Sequence, residues 1–473
     1  MARIALVASV VAGLGLAAAT PAAAARRPAV VPAHIALSVA SGPPGTAIRV
    51  SGSGFAAGEL VRISLASIGH TPMRANRRGS FAGALVKVTS GTGPGTYRIT
   101  AVGRRSGRRA SATFAVHTNW AQYGYGPAHM ARNVYENVLS TSAAPGLARA
   151  WRFNTGNEVI SSPAVVNGVA YVGSQDNAVY ALNAATGARR WTFRTDGAVD
   201  SSPAVVGGKV FVGSEGDWMY AIGVIHGVKR WAYRTGAAVF GAPVVRDGTV
   251  YVAAVNGTVY AFNAATGAWR WRVKLRTEVA ASVALGNGVV YVPAETGELY
   301  ALNAATGARL WTAGLPGYAV STPAVAGGAV YIGTDHTGVG HLLAFNAATG
   351  KRIWDIQDSH GAVAAAPAVA GGVVYWAASG GVFATRAATG TSVWQFGLSP
   401  MQMQSDPAVA DGVVYVGAGD GNLYALDAAS GSKLAAFSTG GAIEGSPAVA
   451  DGRVYVGSDN HYEYAFAPPR SAS

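Results

Sequence analysis

The chain has 473 residues, no cysteine, and 36 Lys+Arg against 23 Asp+Glu, a formal charge of +13. Half of the residues are apolar and only 12% are charged, so the chain can bury large cores and is not a disordered polyelectrolyte. The absence of cysteine excludes a disulfide scaffold, a thiol nucleophile, cysteine-ligated zinc, iron–sulfur clusters and a thiol-anchored lipid.

In chain order, Arg3 precedes an apolar stretch from Ile4 to Ala19, followed by small residues through Thr20-Pro21 to Ala25. A short positive start, an apolar run too brief to span a bilayer and an A-x-A end predict a signal peptide over 1–25. The mature protein is then expected to be extracytoplasmic, secreted or envelope-associated. Arg26-Arg27 follow the apolar run, so they do not form a twin-arginine signal, and without cysteine no lipoprotein anchor is expected. Residues 26–34 read as a linker, and the tail 468–473 offers neither a transmembrane span nor a sorting signal.

Residues 35–117 change rhythm. Ile35–Val39, Ala47–Gly52, Leu60–Leu65, Gly79–Val88, Gly95–Val102 and Ala110–Val116 read as short strands broken by Gly- and Pro-rich turns, which predicts a small Ig-like β-sandwich. The runs Pro43-Pro44-Gly45-Thr46, Gly52-Ser53-Gly54-Phe55, Gly58-Glu59 and Gly93-Pro94-Gly95-Thr96-Tyr97 resemble bacterial Ig-like modules of the IPT/TIG kind. That resemblance implies a domain that spaces or presents a larger one.

This segment also holds the charge. Up to residue 148 there are fifteen basic and two acidic residues, and from 149 onward 21 of each. Eleven of the basic residues lie between 35 and 118 against the single Glu59, and Arg104, Arg105, Arg108 and Arg109 flank one Ser-Gly turn. A cluster of this kind is expected either to be a solvated face or to contact a polyanion, such as nucleic acid or an anionic cell-wall polymer.

Residues 118–148 read as a linker leading into a repeat that fills 149–467. The unit is S-S-P-A-V-x-x-G-x-V-Y-V-G-S, then x-x-Y-A-L-N-A-A-T-G, then x-x-x-W. Its prolines stand at 163, 203, 243, 323, 367, 407 and 447, with Val283 in the remaining place. The period is 40 residues, stretched only around the fifth unit. Each unit contains four short apolar runs separated by Gly-containing turns, which predicts a four-stranded propeller blade and, over eight units, an eight-bladed β-propeller. The last unit lacks its fourth strand. Arg149 to Thr155, which carries Trp151, is predicted to supply it and close the ring.

The pattern A-x-N/D-x-x-T/S-G-x-x-x-W, seen in Ala181 to Trp191, Ala261 to Trp271, Ala301 to Trp311 and Ala344 to Trp354, resembles the tryptophan-docking motif of the pyrroloquinoline quinone (PQQ) repeat family. Asn119-Trp120 through Glu136 is similar to the segment that leads into the propeller in that family. The family holds calcium- and quinone-dependent dehydrogenases, but also cofactor-free scaffolds such as the propeller lipoprotein of the outer-membrane barrel-assembly machinery. The repeated tryptophans Trp151, Trp191, Trp231, Trp271, Trp311, Trp354 and Trp394 are read as structural: each buried aromatic is worth about 3 to 5 kcal/mol.

In such a blade the D-to-A and B-to-C connections share one face, and sequence variation collects there. The D-to-A positions are Ile160, Asp200, Phe240, Ala280, Val320, Ala364, Gln404 and Glu444, with Asp406 just before its proline. Asp200, Gln404, Asp406 and Glu444 are therefore candidates for a cofactor or ligand at the channel rim. Asp335, His336 and His341 in a lengthened B-to-C loop, with Asp358 and His360 in the next D-to-A loop, are metal candidates. Trp218 and Trp376 depart from the repeat and are candidates for stacking on a planar ligand.

No catalytic residues are assigned. The expected function is a non-enzymatic scaffold, monomeric and without a cofactor, that binds a protein or cell-envelope partner. The alternatives are a PQQ- and calcium-dependent alcohol or sugar dehydrogenase, and a polyanion or cell-wall binder acting through the basic sandwich.

Overall fold

The computed structural model describes residues 32–66, 68–359, 361–398 and 405–469. The predicted signal peptide, Gln404 and His360 lie outside the described residues, as does most of the tail. Within them all regular structure is β apart from two short 3-10 turns, Tyr123–Tyr125 and Ala144–Gly146.

The first domain is a two-sheet sandwich. Strands β1 (His34–Leu37), β3 (Ala47–Ser53) and β6 (Phe81–Lys87) form one sheet; β2 (Ser41–Gly42), β8 (Arg109–Val116), β7 (Gly95–Gly103), β4 (Leu60–Leu65) and β5 (Ile68–Arg74) form the other, in the order β2-β8-β7-β4-β5. Strict alternation in Leu60-Val61-Arg62-Ile63-Ser64-Leu65 turns Val61, Ile63 and Leu65 inward and Arg62 to solvent. They meet Ile48, Val50 and Phe114 in a shared core. β5 has no counterpart in the sequence reading: it contains a glycine and a proline and lacks the alternation of a half-buried strand.

Residues from 148 onward form successive sheets built on four antiparallel strands; Tyr318–Ala319 adds a short strand to one, and Arg132–Asn133 pairs parallel to the inner strand Ala408–Ala410 of another. The first is built from Ala164–Val166, Val169–Ser174, Ala178–Asn183 and Arg189–Arg194, and the next six repeat this order of a short inner strand and three longer ones. Inner strands of neighbouring sheets pack together, and Ala448–Ala450 of the last packs on Ala164–Val166 of the first, closing the ring. The final sheet takes its outer strand from Ala148–Asn154, antiparallel to Tyr462–Ala467, so both ends of the repeat share one sheet as the sequence predicts. The inner hairpins turn on pairs such as Asn167-Gly168, with φ of +51° and +72°, the left-handed geometry that two-residue hairpins require.

The docking motif has a direct physical basis. Trp151 Nε1 donates to the Ala184 carbonyl (3.0 Å), and its ring covers Gly187, where a Cβ would lie 2.8 Å from the indole. The same bond recurs from Trp191 to Val224, Trp231 to Ala264, Trp271 to Ala304, Trp311 to Ala347, Trp354 to Ala387 and Trp394 to Ala428. Each tryptophan thus ties its sheet to the Gly-ended turn of the next, Ala-Ala-Thr-Gly in most units, and the glycine is needed because the ring occupies the space of a side chain. Trp218 and Trp376 are packing residues in this framework: Trp218 stacks beside Tyr220, while Trp376 is buried, stacks on Phe383 at 4.3 Å and donates to Thr385.

The sandwich joins the propeller at the inner hairpin turn of the last sheet. His117 Nδ1 meets Asp451 Oδ2 at 2.9 Å, Thr118 N donates to Asp451 Oδ1 at 2.7 Å, and Glu136 Oε2 accepts from Thr118 Oγ1 and from Gly452 N. This is the A-to-B face, opposite the variable loops.

Candidate functional site

The inner strands leave their edge groups pointing into the central channel, where they need partners. Residues 120–133 supply them, one sheet at a time. Trp120 exchanges two 2.7 Å bonds with Val165; Ala121 O accepts from Val205 N; the Gln122 amide brackets Val245; and the carbonyls of Pro127, Ala128, Met130 and Ala131 accept from Leu285, Val325, Val369 and Val409. Asn133 Nδ2 completes the circuit at the Val449 carbonyl (2.7 Å). All eight contacts fall two residues after the proline position. The lead-in segment is therefore a hub inside the wheel, and it closes the channel.

A second ring lies closer to the variable face, at the residue just before each proline. Ser162 N donates to Ser202 Oγ, Ala242 N to Ser282 Oγ, Ser282 N to Thr322 Oγ1, Ala366 N to Asp406 Oδ1, Asp406 N to Ser446 Oγ, and Ser446 N back to Ser162 Oγ, all between 2.7 and 3.2 Å. The two open links face Ala242 and Ala366, which have no side-chain oxygen to offer. The repeated Ser-Ser-Pro carried this signal at a period of 40, although the sequence reading used only its proline.

Hub and ring meet at Tyr123. Its Oη donates to Asp406 Oδ2 and lies within hydrogen-bonding reach of Thr322 and Ser446. Burial pushes the Asp406 carboxyl up to about 6, against the bonds it accepts from Tyr123, Ser446 and Ala366. Burial and the Asp406 charge push the Tyr123 phenol well above its ordinary value. Edge-on to Tyr123, at 5.1 Å between rings, sits His129, which is 2% exposed. Burial drives its imidazole down to about 3, against the Pro323 carbonyl, so it is neutral near pH 7.

Above this floor is an open cup of about 200 Å³. Its lining contains seven of the eight D-to-A positions read from the sequence: Ile160, Asp200, Phe240, Ala280, Val320, Ala364 and Glu444. Asp200, Asp406 and Glu444 are thus brought together, the last two as neighbours in the rim and floor; Gln404 lies outside the described residues. The rim has two halves. Burial, Glu215 and then Glu444 push the Asp200 carboxyl up to about 7, against a bond from Gln175. Burial and Glu158 raise Glu444, while burial, Glu444 and Glu158 bring Asp459 to about 6. The other half is apolar: Phe240, next to Asp200 in the ring, and Val320 are 37% and 39% exposed, and Tyr318, two residues before Val320, is 59% exposed.

The metal candidates separate. The lengthened loop is a β-hairpin, Ala329–His336 paired with Val339–Asn346. Asp335 and Asp358 share one side of the ladder across Gly340, whereas His336 and His341 lie on the other by strand alternation. His341 Nδ1 is engaged with Asp355 Oδ1 at 2.8 Å. Among the described residues no three His, Asp or Glu side chains form a group able to hold a metal ion.

Of the four arginines at the Ser-Gly turn, Arg105 Nη2 donates to the Ala57 carbonyl and Arg108 Nη1 to that of Gly54, at 2.9 and 2.6 Å. Arg104 and Arg109 are exposed.

Comparison with known proteins agrees with this architecture. The chain matches the family described as outer membrane protein assembly factor BamB over residues 96–257, 255–402 and 378–467, well over half of its length. Residues 32–116 match the macroglobulin-like domain, the form the Ig-type module takes in this chain. Among solved structures, BamB from Moraxella catarrhalis superposes with a TM-score of 0.59 at 18% identity, covering 68% of this chain and 99% of that one. Quinohemoprotein alcohol dehydrogenase from Comamonas testosteroni gives 0.64 at 17% identity over 75% of this chain and 81% of that one. A europium-containing methanol dehydrogenase gives 0.63 at 15% identity over 74% and 98%. No curated protein sequence matches. Among the described residues no helix is long and apolar enough to cross a membrane.

Proposed function

We propose that the chain, which belongs to the outer membrane protein assembly factor BamB family, is an extracytoplasmic, non-catalytic, eight-bladed propeller scaffold that binds a protein partner at its variable face. The observation that carries this reading is the closed hub: residues 120–133 contact the inner strand of every sheet and turn the channel into a blind cup. The rim, apolar at Phe240 and Val320 and acidic at Asp200 and Glu444, suits a peptide segment bearing apolar and basic side chains.

The lining does not fit PQQ. That quinone is a flat tricarboxylate, and among the described residues the cup presents Asp200, Asp406 and Glu444 with no arginine or lysine, while Trp218 and Trp376 are not part of its wall. The donor set for calcium is equally unsuited: Asp406 is already engaged by Tyr123 and the Ala366 amide, and among the described residues no three His, Asp or Glu side chains form a group able to hold a metal ion. We assign no oxidation chemistry to these residues.

The test is a photo-crosslinking residue at Phe240 in the native cell, compared with one at Val393 on the outer rim of the propeller. A discrete protein adduct specific to position 240, lost on Asp200→Lys/Glu444→Lys, is expected. Equal adducts from both positions, or none at 240, would reject the reading. A second reading, favoured by the uncompensated arginines, is that the sandwich contacts a polyanion at the cell envelope.

A further inference from the structure

Seven arginines occupy one end of the sandwich, and their arrangement is more specific than a charge count. The loops 54–60, 75–80 and 104–108 meet there and are laced by main-chain bonds: Phe55 N to Gly79 O, Gly58 N to Asn76 O, Ala75 N to Glu59 O and Arg104 N to Leu60 O. Arg74, Arg105 and Arg108 hold the same loops by donating to the carbonyls of Gly58, Ala57 and Gly54. Glu59, the sole acid of the domain, is 3% exposed and accepts from Ala56 N, Arg105 N, Ser106 N and Ser106 Oγ. Its charge is therefore spent inside the tip. Arg77, Arg78, Arg104 and Arg109 remain, all exposed and with no side-chain hydrogen bond or ion pair among the described residues.

The position matters as much as the charge. β8 leaves this end at Arg109 and runs eight residues, about 26 Å at 3.3 Å per residue, to Val116 and the joint at His117. The tip thus points away from the propeller, on the side opposite the cup. Its aromatic residues, Phe55 and Phe81, are buried at 4% and 6% exposure, so no exposed ring is present for a nucleobase to stack on.

We infer that this tip is a docking surface for a polyol-phosphate polymer, a linear chain of phosphodiesters without bases, held by the four unpartnered guanidinium groups. Arginine is suited to this role because its planar fork matches phosphate oxygens in pairs, and a preformed tip loses little freedom on binding. The inference rests on the polyanion reading given above and names its residues and its ligand.

The test uses the full-length chain and poly(glycerol phosphate) as the probe, with duplex DNA of matched charge as a second arm. Binding to the polymer is expected to weaken between about 50 and 200 mM salt, with a log–log slope of about −3 for four phosphate contacts. Arg77→Ala/Arg78→Ala/Arg104→Ala/Arg109→Ala should lose at least about tenfold in affinity and most of the slope. A control removing the same charge from the propeller, Arg149→Ala/Arg189→Ala/Arg309→Ala/Lys433→Ala, should stay within about twofold of the parent. Both variants must melt like the parent, and the four tip residues make no side-chain bond whose loss would prevent this. Absence of any polymer binding by the parent overturns the polyanion reading and the inference together. Binding that survives the tip variant, falls equally in the control, or favours duplex DNA overturns the inference alone.

Discussion

The two ends of the molecule treat a buried carboxylate in opposite ways. At the sandwich tip, burial acts to raise Glu59, but bonds from Ser106, Ala56 and Arg105 prevail and bring it down to about 2. At the propeller mouth, burial alone lifts Asp406 to about 6 and burial with the neighbouring Glu215 and Glu444 lifts Asp200 to about 7, outweighing the bonds they accept. Glu59 closes a rigid positive knob; the mouth keeps acids crowded around a cup. One chain therefore carries a cationic end and an anionic end on opposite sides of a neutral wheel.

The contrast makes predictions of graded size. The largest effect should come from Glu59→Ala, which removes the acceptor of three part-buried N–H donors and lowers sandwich stability by about 3 kcal/mol, read by calorimetry. In the parent, a carboxyl depressed to about 2 stabilises the fold above its unfolded value near 4.5, and that contribution is lost as pH falls towards 2. Asp406 has the opposite sign. With a carboxyl raised from 3.8 to about 6, the folded state holds the proton more tightly, so stability falls as pH rises through that window, by about 3 kcal/mol. Asp406→Asn should flatten this dependence and raise propeller stability at pH 7. An unchanged pH profile in that variant would mean the mouth is not the strained end. The smallest effect belongs to Ala242→Ser, which offers Ser202 N the missing acceptor in the ring and should add about 1 kcal/mol in a denaturant titration.

The repeat made most of the propeller legible from its residues. Pattern and period gave the four-strand units, and the missing last strand predicted the shared sheet of Ala148–Asn154 and Tyr462–Ala467. The mouth positions were legible for the same reason: each D-to-A residue stands at a nearly fixed offset before its proline, so a linear count finds one level of the wheel. The hub was not. Its bonds from Pro127, Ala128, Met130 and Ala131 use main-chain carbonyls, which leave no side-chain signature, and Tyr123 meets Asp406 across 283 residues. The metal candidates were chosen by spacing in sequence, which does not register strand alternation; the hairpin puts His341 and Asp335 on opposite sides of one ladder. The four arginines of the Ser-Gly turn were visible as a cluster. Only the fold separates Arg105 and Arg108, which hold carbonyls, from Arg104 and Arg109, and adds Arg77 and Arg78 to the same end.

The claim that organises this account is that the closed, acid-lined cup serves binding and not quinone-dependent oxidation. The direct test is a titration of the full-length chain with PQQ in excess calcium, followed by tryptophan fluorescence and by dye-linked oxidation of alcohols and sugars. We predict no saturable quenching and no oxidation above the protein-free rate. Stoichiometric, calcium-dependent quenching accompanied by turnover would contradict the account.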